Sequence, residues 1–314
     1  MSHAATPSEF LQDGSHNGPL IAQAKGYNIV DCFTCGFRHV LPLPDPASLE
    51  LEYREKYYSE EKPNFIAHAT EDQAWFELAQ NDRLAIFEKL LAVERRRLLD
   101  IGCGPGFFLK SAIARGWDAH GIEPSALAAA HARGLGAVVT EGFFNAKTAA
   151  TPEFQNARFD VINLTNVLEH VPDAAQTLKR AVDLLQPGGV LCVGAPNDFS
   201  LLQIAARNAT QIGDWWVAPP HHLNYFDFDS LEAAVTRLGL ILAERTTSFP
   251  MEAFLMMGDN YVGDPALGRN CHNKRKRFDM AFEQSGLTGM RRDFYRALAK
   301  LGIGREAVVI AVKP

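Results

Sequence analysis

Residues 98–106 read LLDIGCGPG, and their reading decides the fold. A short apolar run closes on Asp100, glycines follow at 102, 104 and 106, and the helical stretch FFLKSAIARG comes next. A strand that passes through glycines into a helix needs residues without a Cβ, so that the backbone can turn sharply and a ligand can come close. The pattern departs from two phosphate loops. A dinucleotide fingerprint would place glycine at 107, where Phe107 stands, and no Gly-Lys-Ser/Thr triplet follows. About twenty residues on, Glu123 ends the next strand-like run, where a carboxylate can accept both hydroxyls of a ribose.

Working outward, strands and helices alternate. WDAHGIE (117–123) precedes SALAAAHARG, with Ser125 as N-cap, and AVV (137–139) is the third strand. RFDVINL (158–164) leads to the helix DAAQTLKRAVDLL, ended by QPGG, and VLCVGAP (190–196) is the fifth strand. LILAERT (240–246) and EAVVIAV (306–312) bring the strands to seven, and the last could close a sheet edge. This order predicts an α/β chain with a doubly wound, mostly parallel sheet covered on both faces. A helical insertion over about 248–305 precedes the last strand. Upstream, 47–58 and 72–93 carry apolar residues at helical spacing. Residues 20–46 are strand-like around the pair Cys32 and Cys35, and 1–19, rich in Ser, Gly, Asn, Pro and His, read as a mobile tail. The expected division is a tail at 1–19, an accessory module at 20–94 and the α/β domain at 95–314.

DIGCGPG, the strand-ending Glu123 and FDVINLTNVLEHV (159–171), in that order, resemble the class I S-adenosylmethionine-dependent methyltransferases. The resemblance covers about 95–247 and the last strand, and implies the Rossmann-like methyltransferase fold with S-adenosyl-L-methionine as cofactor. It implies that Gly102, Cys103, Gly104 and Gly106 pack against the methionine part of the cofactor. Asp100 would order the loop and orient the amino group, and Glu123 would hold the ribose. Asn145, in EGFFN, and Leu164, ending the fourth strand, are the further cofactor candidates. Methyl transfer from a sulfonium is an in-line displacement, so such an enzyme mainly has to hold acceptor, methyl carbon and sulfur in line.

Two histidines are candidate bases. His170 lies in NVLEHV after the fourth strand, at the carboxyl end of the sheet, and imidazole titrates near neutrality. The bland alternative is a locally packed histidine. The stretch also resembles quinone-pathway O-methyltransferases, whose E-x-x-E-H motif binds a divalent metal. Here Asn166 replaces the first carboxylate while Glu169 and His170 remain, so no metal is expected there. His222, in PPHHLNYF before a helix starting near Asp229 or Ser230, is the second candidate. That arrangement resembles a group that includes sugar C-methyltransferases, in which a histidine removes the acceptor's proton.

The expected function is methyl transfer to oxygen or carbon of a small polar metabolite, with a sugar or nucleotide-sugar among the candidates. The alternatives are a nicotinamide-dependent oxidoreductase and a non-catalytic S-adenosylmethionine-binding protein. KRKR (274–277), with Arg291, Arg292, Arg296 and Lys300, is a solvated face or a site for an anionic acceptor. A net charge of −6 argues against binding nucleic acid through its phosphates, and no apolar run is long enough to span a bilayer. Without a basic, apolar leader, and with only five scattered cysteines, a reducing cytoplasm is the expected location. Cys32 and Cys35 have the spacing of half a zinc knuckle, with His39 as a third ligand and Cys271 with His272 as a distant reserve. A thioredoxin-like redox pair is disfavoured, because Gly36 and strand-like flanks follow the thiols where a helix would open. The other reading is a degenerate hairpin with free thiols.

Overall fold

The computed structural model describes residues 10–51, 53–54, 64–155 and 157–314. Its main sheet has seven strands in the order β11-β12-β9-β8-β5-β6-β7. These are β5 (Arg97–Ile101), β6 (Asp118–Glu123), β7 (Val138–Glu141), β8 (Phe159–Thr165), β9 (Leu185–Pro196), β11 (Ile241–Thr246) and β12 (Glu306–Val312). Pairings from β7 through β9 are parallel, whereas β12 runs antiparallel to both β9 and β11. The seven expected strands are all present, and the last lies between β9 and β11 instead of at an edge.

Both faces of the sheet are covered, which is why its strands read as near-continuous apolar runs. Side chains on β5 alternate: Leu99 and Ile101 join the core with Ile162, Leu164 and Leu191, while Leu98 packs with Val161, Val190 and Cys192. The second core also takes Leu109 and Ala112 from α4 (Phe107–Ala114), Ala129 and Ala132 from α5 (Ala126–Gly134), and Leu84 and Phe87 from α3 (Gln73–Leu90). The chain leaves β5 toward β6 and β7, then returns across it to β8. The carboxyl ends of β5 and β8 therefore flank the crevice where ligands bind in doubly wound sheets.

A smaller antiparallel sheet joins β1 (Phe10–Asp13), β2 (His16–Ala24), β3 (Tyr27–Cys32), β4 (Phe37–Leu41) and the two-residue β10 (Asn224–Tyr225). It corrects the expected division twice. Residues 10–19, read as tail, are β1 and the start of β2; their polar side chains follow from a position at the sheet edge. Residues 1–9 lie outside the described residues. The accessory segment is also not self-contained, because β10 comes from far downstream and pairs with β4 at Asn224↔His39 and Tyr225↔Arg38. Of the expected helix at 47–58, α1 (Pro46–Leu51) is present, and 52 and 55–63 lie outside the described residues. Helix α3, assigned to the accessory module, packs instead on the main domain, where Ser111 Oγ donates to Gln80 Oε1 at 2.7 Å.

The expected insertion folds as α11 (Glu252–Met256), α12 (Pro265–Gln284) and α13 (Thr288–Lys300). Helices α12 and α13 lie over α3. Trp75 Nε1 donates to Asp279 at 2.7 Å, and buried Arg291 pairs with Asp82 at 2.9 Å. No described helix is long and apolar enough to cross a membrane.

Candidate active site

A cavity of about 870 Å³ opens at the carboxyl ends of β5, β6 and β8. Asp100, Gly102, Cys103, Gly104, Glu123 and Asn145 all line it, and His170 and His222 line it as well. Gly106 is not in the lining. It is the N-cap of α4 with φ of 83°, and a Cβ there would sit 2.5 Å from the Ala132 Cβ. Its glycine serves the packing of α4 on α5. Gly102 has φ of 70°, and a Cβ there would come within 2.6 Å of Val167 Cγ2. The missing side chain thus lets the loop after β8 close down on the loop after β5. Leu164 is a further correction: it is fully buried in the core and does not line the cavity, because alternation on β8 turns Asn163 and Thr165 toward it instead.

The loop is held by Glu123. One carboxylate oxygen accepts from the Gly104 amide and the other from the Ser125 amide, each at 2.9 Å. Each oxygen retains a second lone pair, the acceptor capacity a ribose diol requires. Burial pushes the Glu123 carboxyl up to about 7, against the opposing pull of the two amides. Burial does the same to Asp100, also to about 7, although Asn163 Nδ2 donates to it at 2.7 Å. The Asn163 carbonyl accepts from Thr165 Oγ1 at 3.1 Å, and Thr165 Oγ1 accepts from Arg83 at 3.0 Å. The relay from Arg83 to Asp100 is not legible in the glycine motif, and its one sequence signal is polar Asn163 inside an apolar strand. Two buried carboxylates in one cavity fit a ligand that carries a sulfonium and an ammonium group.

The histidines converge on the cavity from two loops. His170 Nδ1 lies 2.8 Å from the His221 carbonyl oxygen, a contact that requires the proton on Nδ1 and leaves Nε2 as the basic nitrogen. Tyr53 Oη lies 2.8 Å from the same Nδ1 and donates to the His221 carbonyl at 3.2 Å. His170 Nε2 is 3.6 Å from Glu169 Oε1, and the His170 and His222 ring centroids are 5.1 Å apart. The two loops are joined through backbone, since the Glu169 carbonyl accepts from the Leu223 and Asn224 amides. Asn224 Nδ2 donates to the Leu168 and Val171 carbonyls at 2.8 and 2.7 Å. Helix α10 (Phe228–Thr236) follows, capped by Asp227 in a box with Ser230. Tyr53 and Asn224 are the positioning groups that sequence reading missed.

The basic cluster is largely paired. Arg291 and Arg292 bind Asp82, Arg296 binds Glu244, Lys276 binds buried Asp72, and Arg275 lies 4.7 Å from the Trp75 ring centre. Cys271 is buried beside Met251 and Phe254, and His272 hydrogen-bonds Asp72 at 2.7 Å, so neither serves Cys32 and Cys35. Burial pushes the half-buried Cys35 thiol up to about 12. His16 Nδ1 lies 3.4 Å from Cys35 Sγ and 3.8 Å from Cys32 Sγ.

Comparison with known proteins agrees with this geometry. The profile of the family described as methyltransferase domain matches residues 69–244, more than half of the chain. A ubiquinone biosynthesis O-methyltransferase from Chelativorans sp. is 31% identical over 159 residues, which is 49% of this chain and 62% of that protein. A protein of the same description from Rhodopseudomonas palustris is 30% identical over 162 residues, covering 51% of this chain and 64% of that one. The chain thus spans about three fifths of the length of the curated relatives it matches. Among solved structures, magnesium protoporphyrin IX methyltransferase from Synechocystis PCC 6803, with bound SAH, superposes with a TM-score of 0.52 at 10% identity. That match covers 86% of this chain and all of that one. An S-adenosylmethionine-dependent methyltransferase from Archaeoglobus fulgidus gives a TM-score of 0.50 at 16% identity, over 77% and 94% of the two chains. With the glycine loop, Glu123 and the seven-stranded order in place, the chain belongs to the class I S-adenosylmethionine-dependent methyltransferases.

Proposed function

We propose that this chain transfers a methyl group from S-adenosylmethionine to a hydroxyl oxygen of a small, ring-bearing metabolite, with His170 and His222 as the acceptor-side bases. The observation that carries the reading is the convergence of the two histidines on one cavity with Asp100 and Glu123. When bound, the cofactor supplies an activated methyl on sulfonium. Glu123 would bind the ribose, Asp100 and the glycine loop the amino-acid end, and Asn145 the adenine side. The Nε2 atom of His170, its tautomer set by the His221 carbonyl, would take the acceptor's hydroxyl proton as the oxygen attacks. His222, one ring away, would share or relay that proton.

Oxygen is preferred to carbon because the curated relatives bear an O-methyltransferase description. Tyr53, Phe65, Phe143 and Phe144 line the cavity and suit a flat apolar ring. Three of the arginines lining it, Arg291, Arg292 and Arg296, are engaged by carboxylates, which favours a hydroxylated ring over a sugar phosphate or other anion at that wall. The pair Cys32 and Cys35 we assign to zinc, on a fuller ligand set given below. Incubating the protein and S-adenosylmethionine with a panel of phenols, catechols, sugars and nucleotide-sugars, read by mass spectrometry, tests the proposal. A phenolic or catecholic product heavier by one CH2 is expected, and methylation confined to sugars would overturn the acceptor class.

A further inference from the structure

Outside the cavity, four side chains with metal-ligating atoms meet in the small sheet. One ligand atom from each of His16, Cys32, Cys35 and His39 lies within 4.8 Å of every other. We propose that these four residues form a tetrahedral zinc site that fastens the small sheet to the acceptor side of the methyltransferase fold. The site lies outside the cofactor cavity, and the inference does not depend on which acceptor is methylated.

Three features support a built site. The first is ligand spacing. Zinc bonds of about 2.3 Å to sulfur and about 2.0 Å to nitrogen put tetrahedral ligand atoms about 3.3–3.8 Å apart. His16 Nδ1 stands at 3.4 and 3.8 Å from the two sulfurs. The second is the state of His39. Its Nδ1 donates to the Val40 carbonyl at 2.9 Å, which fixes the tautomer and leaves a lone pair on Nε2. The residue is 2% exposed, and Nε2 has no hydrogen-bond partner among the described residues. Its ring lies edge-on to His16, with centroids 4.6 Å apart. A buried basic nitrogen without a donor is costly, and a metal ion meets that requirement. The third is the loop between the thiols. The Gly36 amide donates to the Cys32 carbonyl, and the Phe33 amide to the Asn17 carbonyl, so the CxxCG turn is pinned to the strand that brings His16. Two thiolates and two imidazoles at tetrahedral spacing select zinc among common divalent ions.

The position gives the site a task. His39 is paired in register with Asn224, the residue whose amide and side chain hold the loop of Glu169 and His170. One strand pairing thus separates the metal ligand from the candidate bases. Arg237, on the far side of the knuckle, donates to the Cys35 carbonyl at 2.6 Å and ties it to the end of α10. Loss of zinc would free β4, and with it the acceptor loop, while the glycine loop stays in place.

The test is metal analysis of the full chain by plasma mass spectrometry, together with the visible spectrum of the cobalt(II)-exchanged protein. About one zinc per chain and a thiolate-to-cobalt charge-transfer band with tetrahedral d–d bands are expected. His16→Ala and Cys35→Ser should lose the zinc, and His222→Gln should keep it. Chelation should raise the acceptor KM several-fold with cofactor affinity unchanged. Wild-type protein that binds no zinc and shows no cobalt–thiolate band would overturn the site, without reference to any variant's folding or to methyl transfer. Zinc retained by His16→Ala and Cys35→Ser but lost by His222→Gln would also overturn it, placing the metal at Glu169, His170 and His222. An acceptor KM unmoved by chelation would overturn the coupling to the acceptor loop.

Discussion

At the scale of single residues, Glu123 and Asp100 carry the strongest prediction. Burial raises both carboxyls to about 7. A folded-state pKa above the unfolded value stabilises the fold at low pH, and that contribution is lost as pH rises through about 7. The empty protein's melting temperature should therefore fall from about pH 5 to about pH 8, as far as these two groups govern it. Cofactor affinity should run the other way, because the cationic ligand needs the ionised carboxylates. Titrations should show S-adenosylmethionine binding weakened between about pH 8 and about pH 6, by up to roughly tenfold for each of the two carboxylates. A flat profile would contradict the assignment. The histidines predict a split: His170→Gln should lower kcat by roughly a hundredfold and leave the cofactor Kd unchanged. A stronger effect of His222→Gln would exchange the roles of the two rings.

At the scale of elements, the loops after β5 and β8 are mutually fitted, and Gly102 is the point of contact. Gly102→Ala adds a Cβ 2.6 Å from Val167 Cγ2 on a backbone with positive φ. It should cost about 2 kcal/mol in urea denaturation, part of it recovered in a Val167→Ala background, where only the backbone strain remains. Helices α12 and α13 are held to α3 by Arg291, which is 3% exposed and reaches both Asp82 and Glu283. Arg291→Met should cost about 2 kcal/mol by leaving those carboxylates under-compensated. The insertion lends the cavity wall Asp279, Arg291 and Tyr295, so the same change should raise the acceptor KM.

At the scale of the molecule, the main domain was legible because its information is local. Each strand is an apolar run ended by a turn, and the glycine loop lies within nine residues of sequence. The small sheet was not legible for the opposite reason. β10 is a dipeptide, too short to show a period, and its partner β4 is nearly two hundred residues away. The place of His16 beside Cys32 and Cys35 was not legible because it stands in a polar stretch that reads as tail, and nothing local links it to Cys32. Leu164 was misassigned by one position: next to Asn163 and Thr165 it belongs to the opposite face of β8. Of the basic cluster the sequence shows only the cations, whereas their carboxylate partners come from α3, the turn before it and β11.

The central claim is that this cavity holds S-adenosylmethionine through Glu123. Calorimetric titration of the full chain with S-adenosylmethionine, its demethylated product and NADH tests it most directly. One site per chain for the first two, no heat with NADH, and an affinity weakened roughly ten- to a hundredfold in Glu123→Gln is the expected result. Binding of NADH alone, or affinity for the methyl donor untouched by Glu123→Gln, would contradict it.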